Sequence, residues 1–158
     1  MKLYLVRHGS ALSEDQDPAR PLSQQGLAEV GCAAGAARGA GVKPAAVLHS
    51  GKARARQTAE LLASALGVDD VRDVGGVLTP NAEPAAALER VEREDGPLML
   101  VGHLPHLGRL ASLLLVDDPE LELIRFDPAA VACLERGDAG WGLTALISPD
   151  WVSSAHQP

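Results

Sequence analysis

Cysteine is scarce in this sequence: Cys32 and Cys133 are the only two among 158 residues. Two thiols cannot build a disulfide scaffold, and a reducing compartment such as the cytosol fits best. Aromatic residues make up only 3%, so Ala, Leu and Val have to fill most of the core. Positive charge is in the minority, with 14 Lys plus Arg against 21 Asp plus Glu and a net charge of -7. A general nucleic-acid binder or a polybasic membrane protein leans the other way, so neither nucleic acid nor membrane is an expected partner. No apolar run approaches the roughly 20 residues of a membrane span. Arg7 and His8 interrupt the first apolar stretch, which therefore lacks a signal-peptide pattern. Solenoid-spaced repeats and low-complexity blocks are also missing.

What remains is an ordinary globular composition, 46% hydrophobic and 22% charged. The length suggests one domain, expected over residues 1–151, followed by a polar and frayed tail over residues 152–158. Lys2 to Val6 is an apolar run that stops at Arg7, His8 and Gly9, which predicts a buried strand entering a loop. Ser23 is placed to cap a helix reaching about Arg38, with Leu22 and Leu27 as a hydrophobic staple. Ala45 to His49 is a second short strand. Ala55, Ala59, Leu62 and Leu66 recur at helical spacing, so a helix is expected over Ala53 to Leu66, stopped by Gly67. Asp70 to Val74 reads as an edge strand, and Pro84 to about Glu94 as a helix with proline in its first turn. Leu98 to Val101 repeats the first strand's pattern, again followed by a glycine and a histidine, Gly102 and His103. Leu107, Leu110, Ala111, Leu114 and Leu115 form one face of a helix over Pro105 to Leu115. Val131 to Leu134 and Leu143 to Ile147 flank a Gly-rich turn, which suggests a hairpin.

Strands alternating with helices imply an α/β fold. The expected form is a three-layer sandwich: a mostly parallel central sheet, helices on both faces and a C-terminal antiparallel hairpin. Ligands bind beyond the carboxyl ends of such strands. Arg7 and His8 lie past one strand and His103 past another, so parallel pairing brings them to one edge.

An imidazole can offer a lone pair to phosphorus, and an adjacent guanidinium can hold phosphate oxygens in a planar fork. An Arg-His-Gly triplet alone also suits a solvated strand end. Arg20 sits before the helix capped by Ser23, whose N-terminus favours anions. Arg54 and Arg56 are two apart at a helix start, so only one of them is expected to face a common site. The segment lacks the spacing of a nucleotide phosphate loop. His103 is placed to donate to a phosphate. His103 and His106 make an unconvincing metal pair, with no Cys or carboxylate nearby to complete it, and His106 is expected to be exposed. Cys32 and Cys133 read as small core residues. Neither sits in the Arg-bearing loop that a cysteine-nucleophile phosphatase requires.

Four motifs together are far more specific than any one. LVRHGSA (Leu5 to Ala11), RPLSQQG (Arg20 to Gly26), SGKARARQTAELL (Ser50 to Leu62) and LVGHLPHLG (Leu100 to Gly108) resemble the histidine phosphatase superfamily, which includes the phosphoglycerate mutases. The short length, early Arg-Pro-Leu and Gly-His-Leu-Pro are most similar to the SixA-type phosphohistidine phosphatase branch. The resemblance implies His8 as the transiently phosphorylated nucleophile, Arg7 and Arg54 as phosphate ligands, and Arg20 as the extra arginine of the short branch. It implies His103 as donor to the phosphoryl group, and it implies no metal or other cofactor. Arg56 is not carried over. Gly51 departs from the family, which commonly has proline after the serine.

The implied reaction is hydrolysis of phosphohistidine on a protein through phosphohistidine-8. The alternative is hydrolysis of a small phosphorylated metabolite, for which Glu83 is the candidate general acid. A non-catalytic phosphate-binding module and a mutase rank lower, since the Arg-His-Gly triplet is intact and no long covering insertion is present.

Overall fold

The computed structural model describes residues 1–154, with side chains to residue 152. Six strands form one sheet in the order β3-β2-β4-β1-β5-β6. β1 (Lys2–Arg7), β4 (Leu98–Gly102), β2 (Ala46–His49) and β3 (Val71–Asp73) run parallel to one another. β5 (Val131–Gly137) pairs antiparallel with β1, and β6 (Gly140–Ile147) returns antiparallel to β5. The mixed sheet matches the expected α/β class and its C-terminal hairpin.

Right-handed crossovers then decide where the helices go. The chain moves from β1 to β2 and on to β3 in one direction across the sheet, through α1 (Gln24–Gly39) and α2 (Ala53–Leu66). It reverses from β3 to β4 through α3 (Pro84–Glu92) and continues through α4 (His106–Val116). The reversal puts the two pairs of helices on opposite faces. Alternation along β1 divides the core accordingly. Tyr4 and Val6 pack with Val30, Ala33, Ala59 and Leu62, while Leu3 and Leu5 pack with Ala87, Val91, Leu107 and Leu110. Alanine is abundant in α1 and α2, and its small side chain lets these helices lie close to the sheet and to each other. That is how a chain with few aromatics fills its interior.

The caps follow local chemistry. Ser23 accepts a hydrogen bond from Gly26 N and starts α1 as expected. Gly67 adopts φ 70° and ends α2. The staple does not form the entry of α1: Leu22 is buried in the core, but Leu27 is 41% exposed. The hairpin strands run further than expected, because Glu135, Arg136 and Gly137 pair with Gly142, Trp141 and Gly140. An extra residue at Thr144 makes a β-bulge, and its hydroxyl donates to Cys133 O. Cys133 is buried and Cys32 half-buried, both as free thiols. Residues 152–154 belong to a last helix, α5 (Pro149–Ser154), so the expected tail begins later than its residue types suggest. The rest of that tail, with His156, lies outside the described residues. Among the described residues no helix is long and apolar enough to cross a membrane.

One close approach fixes the loop after β1 against α1. A Cβ on Gly26 would lie 2.0 Å from Ser10 O, and one on Gly9 would lie 2.9 Å from Gly26 O. Two backbones touch there because neither residue carries a side chain. Gly31, in the same helix, has open space around it. Gly26→Ala should destabilise the protein by at least about 2 kcal/mol through overpacking against backbone. Gly31→Ala should stabilise it by roughly 0.5–1 kcal/mol through helix propensity. Urea midpoints of the two variants check the contrast; equal midpoints would remove the close approach as a constraint.

Candidate active site

The parallel register delivers the reactive residues to one edge. Arg7 lies opposite Gly102 and His49 opposite Val101, so His8, Ser50 and His103 each follow directly on the end of a strand. His8 N donates to Gly102 O at 3.1 Å, extending the β1–β4 ladder one step. The His8 and His103 rings face each other with centroids 4.9 Å apart and planes tilted by 56°. Two residues 95 apart in sequence thus share one pocket.

His8 Nδ1 lies 2.6 Å from Gly9 O. A carbonyl can only accept, so Nδ1 carries the proton and Nε2 keeps its lone pair. Burial pushes the His8 pKa down to about 4, with the charges of Arg54, Arg7 and Arg20 adding to the shift and the Gly9 hydrogen bond opposing it. Those three guanidinium groups therefore lie within electrostatic range of the ring. Burial also takes His103 down to about 3, helped by His8, Arg54 and Lys52. Both rings are neutral at pH 7.

Each arginine is presented differently. Arg7 Nη1 donates to Phe126 O at 2.8 Å, which fixes its fork against the segment before β5. Arg20 is held at φ 49° in a loop folded back by the Ala11–Leu22 bridge, and its Nε donates to Leu12 O. A non-glycine residue in that region costs about 1–3 kcal/mol, so the surrounding loop imposes it. Arg54 lies in the first turn of α2, and its Nε is buried with no partner among the described residues. Burial, then Arg20, lowers its pKa. Arg56 points away, exposed, and pairs with Glu60 at 3.9 Å. The expectation that only one of the two arginines faces the site holds.

Several residues that the sequence reading passed over lock this arrangement. Thr58 Oγ1 accepts from Gly9 N at 3.1 Å and donates to Arg54 O at 2.8 Å. Gln57 Oε1 accepts from Leu22 N, and Glu29 receives both Ser10 N and Ser10 Oγ. Ser50 Oγ lies 2.6 Å from His103 Nε2. Gln57 and Thr58 follow Arg54 in the third motif, the one signal that could have flagged them. Gly51 adopts φ 83°, and a Cβ there would lie 2.6 Å from the Asp73 carboxylate. Its N–H donates to His49 Nδ1, so the loop before Arg54 is tied down.

Two residues sit elsewhere than expected. His106 is fully buried, not exposed, because its i+4 partner on α4 is the core residue Leu110. Burial and Arg109 lower its pKa to about 4, and neither ring nitrogen has a partner among the described residues. Glu83 stands at the N-cap position of α3 without a side-chain capping bond, its side chain 78% exposed and its carboxylate 3.8 Å from Arg109. A groove of about 570 Å³ is lined by Leu104, Arg109, Leu121 and Phe126 among others, and neither His8 nor His103 is part of its lining.

Four histidines are depressed by burial, His8, His49, His103 and His106, and together they set a pH response. Their folded pKa values lie below the unfolded value near 6.5, so the unfolded chain binds more protons between pH 6.5 and about 4. Stability is fully present above pH 6.5 and is lost as pH falls through that window. Urea midpoints should fall from pH 7 to pH 4.5. His106→Leu should flatten this fall and raise stability at pH 7 by about 1 kcal/mol, since it removes buried polar atoms without partners. An unchanged slope in that variant would contradict a buried neutral ring.

A model of the histidine phosphatase superfamily (branch 1) matches residues 3–74. The phosphohistidine phosphatase SixA of Escherichia coli (strain K12) is 30% identical, over 90% of this chain and 89% of its own length. An uncharacterised protein of Picosynechococcus sp. (strain ATCC 27264 / PCC 7002 / PR-6) is 37% identical, over 96% of this chain and 99% of its own. A solved structure of the protein histidine phosphatase SixA complexed with tungstate superposes with a TM-score of 0.82 at 26% identity, covering 96% of this chain and 99% of that one. With this similarity along nearly its whole length, and four motifs in order, the chain belongs to the histidine phosphatase superfamily.

Proposed function

We propose that this histidine phosphatase hydrolyses phosphohistidine on a protein, with His8 as nucleophile, Arg7, Arg20 and Arg54 as phosphate ligands, and His103 as donor to the phosphoryl group. The observation that carries the reading is the neutral His8 ring. Its Nδ1–H is spent on Gly9 O, its Nε2 lone pair is free, and three guanidinium groups lie within electrostatic range of it.

Two in-line displacements follow. His8 Nε2 bonds to phosphorus while the substrate nitrogen–phosphorus bond breaks, its electron pair passing to the leaving imidazole. That imidazole departs neutral, because its other ring nitrogen carries the proton. Water then attacks phosphohistidine-8. The new oxygen–phosphorus bond forms, His8 recovers its lone pair, and the water's proton ends on phosphate. Such transfers depend chiefly on positioning and charge stabilisation, which the arginines and His103 supply.

The leaving group separates this reading from its alternative. An alkoxide must be protonated as it leaves, whereas a neutral imidazole need not be. Glu83, the candidate acid, is exposed and tied to Arg109, which favours nitrogen–phosphorus bonds. The second reading, a small phosphomonoester, is supported by the groove reached through Leu104 and Phe126, the neighbours of His103 and Arg7, because about 570 Å³ is the size of a small-ligand cleft. We place the protein in the cytosol, where two free thiols persist.

Turnover of a phosphohistidine protein should exceed that of a panel of small phosphomonoesters. His8→Ala should abolish the phosphoenzyme seen by mass spectrometry and lower turnover by at least about a thousandfold. Full turnover in that variant overturns the nucleophile. Glu83→Gln should leave phosphohistidine hydrolysis within about twofold. High ester activity that collapses in Glu83→Gln reverses the substrate ranking.

A further inference from the structure

We infer that Ser50 is a positioning residue that fixes the tautomer of His103, so that its Nδ1–H is the donor offered to the phosphoryl group. The inference rests on the reading of the site given above and deepens it.

The direction of the hydrogen bonds can be followed atom by atom. Lys52 N–H points to Ser50 Oγ at 3.4 Å, and an amide can only donate. Among the described residues His103 Nε2, at 2.6 Å, is the acceptor in reach of the serine's own proton; the reverse direction would bring two donors to Oγ and leave that buried proton unpaired. Receiving it makes Nε2 an acceptor. A neutral imidazole carries one proton, and that proton is left on Nδ1. Burial keeps the ring neutral, at a pKa of about 3. His103 Nδ1 is buried and has no hydrogen-bond partner among the described residues. A buried donor left unpaired costs about 1–3 kcal/mol, and an oxyanion bound between the two rings relieves that cost. Ser50 itself is only 5% exposed, so water competes poorly for its hydroxyl.

The two facing imidazoles thereby receive opposite assignments from opposite partners. Gly9 O, an acceptor, draws the proton of His8 to Nδ1 and leaves Nε2 as a nucleophile. Ser50 Oγ, a donor, occupies the lone pair of His103 at Nε2 and leaves the ring's one N–H at Nδ1, buried and without a partner among the described residues. Without the serine, His103 can place its proton on Nε2, and the nitrogen offered to phosphate becomes a lone pair. A lone pair repels an oxyanion.

The test has two arms. In the wild type, nitrogen-15 shifts of the His103 ring at pH 7 should report a protonated Nδ1 and an unprotonated Nε2. The opposite pattern overturns the inference and needs no variant. In Ser50→Ala, the shifts should move toward a mixture of tautomers, and kcat and kcat/KM should fall together by about ten- to a hundredfold with KM within about twofold. A purely structural serine would lower the urea midpoint and leave both the tautomer and kcat of the folded protein unchanged, and that result also overturns the inference. Wild-type protein that shows the Nδ1–H tautomer but turns over no phosphorylated compound would sink the proposed function while leaving the tautomer assignment standing.

Discussion

The hydrogen bond from His8 N to Gly102 O is one more rung on a parallel ladder, made just past the point where the sheet ends. Everything reactive in the molecule is positioned relative to it. Parallel pairing of β1, β4 and β2 means that three strands terminate side by side, each leading into a residue of the site. Reversing the connection between β3 and β4 inserts β4 between β2 and β1, so His103 lies between Ser50 and His8 in the order of strand ends. A different strand order would keep every motif and still separate the two imidazoles. The loops only refine this placement, through the Gly9–Gly26 contact and the Thr58 bridge from Gly9 to Arg54.

Electrostatics at the site runs against that of the whole chain. The net charge is -7, yet the pocket gathers three guanidinium groups around rings that burial keeps uncharged. Neutral imidazole is the form that can attack phosphorus, and fixed cations are the form that can hold its oxygens. A protonated His8 would be repelled by its own neighbours. Burial and the arginines act in the same direction, so on the proposed reading one arrangement builds both the nucleophile and the anion site.

Much of this was legible in the sequence, for identifiable reasons. The two strands ending in a glycine–histidine context stand out because apolar runs stop abruptly at charged residues. Helix α4 stands out because its apolar face has the right period. The motifs named the residues around the pocket, and the structure brings Arg7, His8, Arg20, Arg54 and His103 together. His106 was misread because a polar residue at a helix start is assigned to solvent by type, whereas helical phase places it with Leu110. The span between α4 and β5 carries no periodic signal, yet it buries Ile124 and Phe126 and supplies the carbonyl that holds Arg7. Ser50 and Thr58 look like helix-start residues, and their partners lie 53 and 49 positions away. The hairpin outruns its apolar residues because its outer half is largely polar and held by the backbone ladder, with Arg136 stacked over Trp141 at 5.4 Å.

Gly51 carries a consequence for how this protein relates to its family. Proline is confined near φ -65° and has no amide proton, while Gly51 sits at φ 83° and donates that proton to His49. The proline common at this place in relatives cannot be written into this backbone one residue at a time. His49, Gly51 and Asp73 fit one path of the chain toward Arg54, so a proline after Ser50 calls for a different path as well as a different residue.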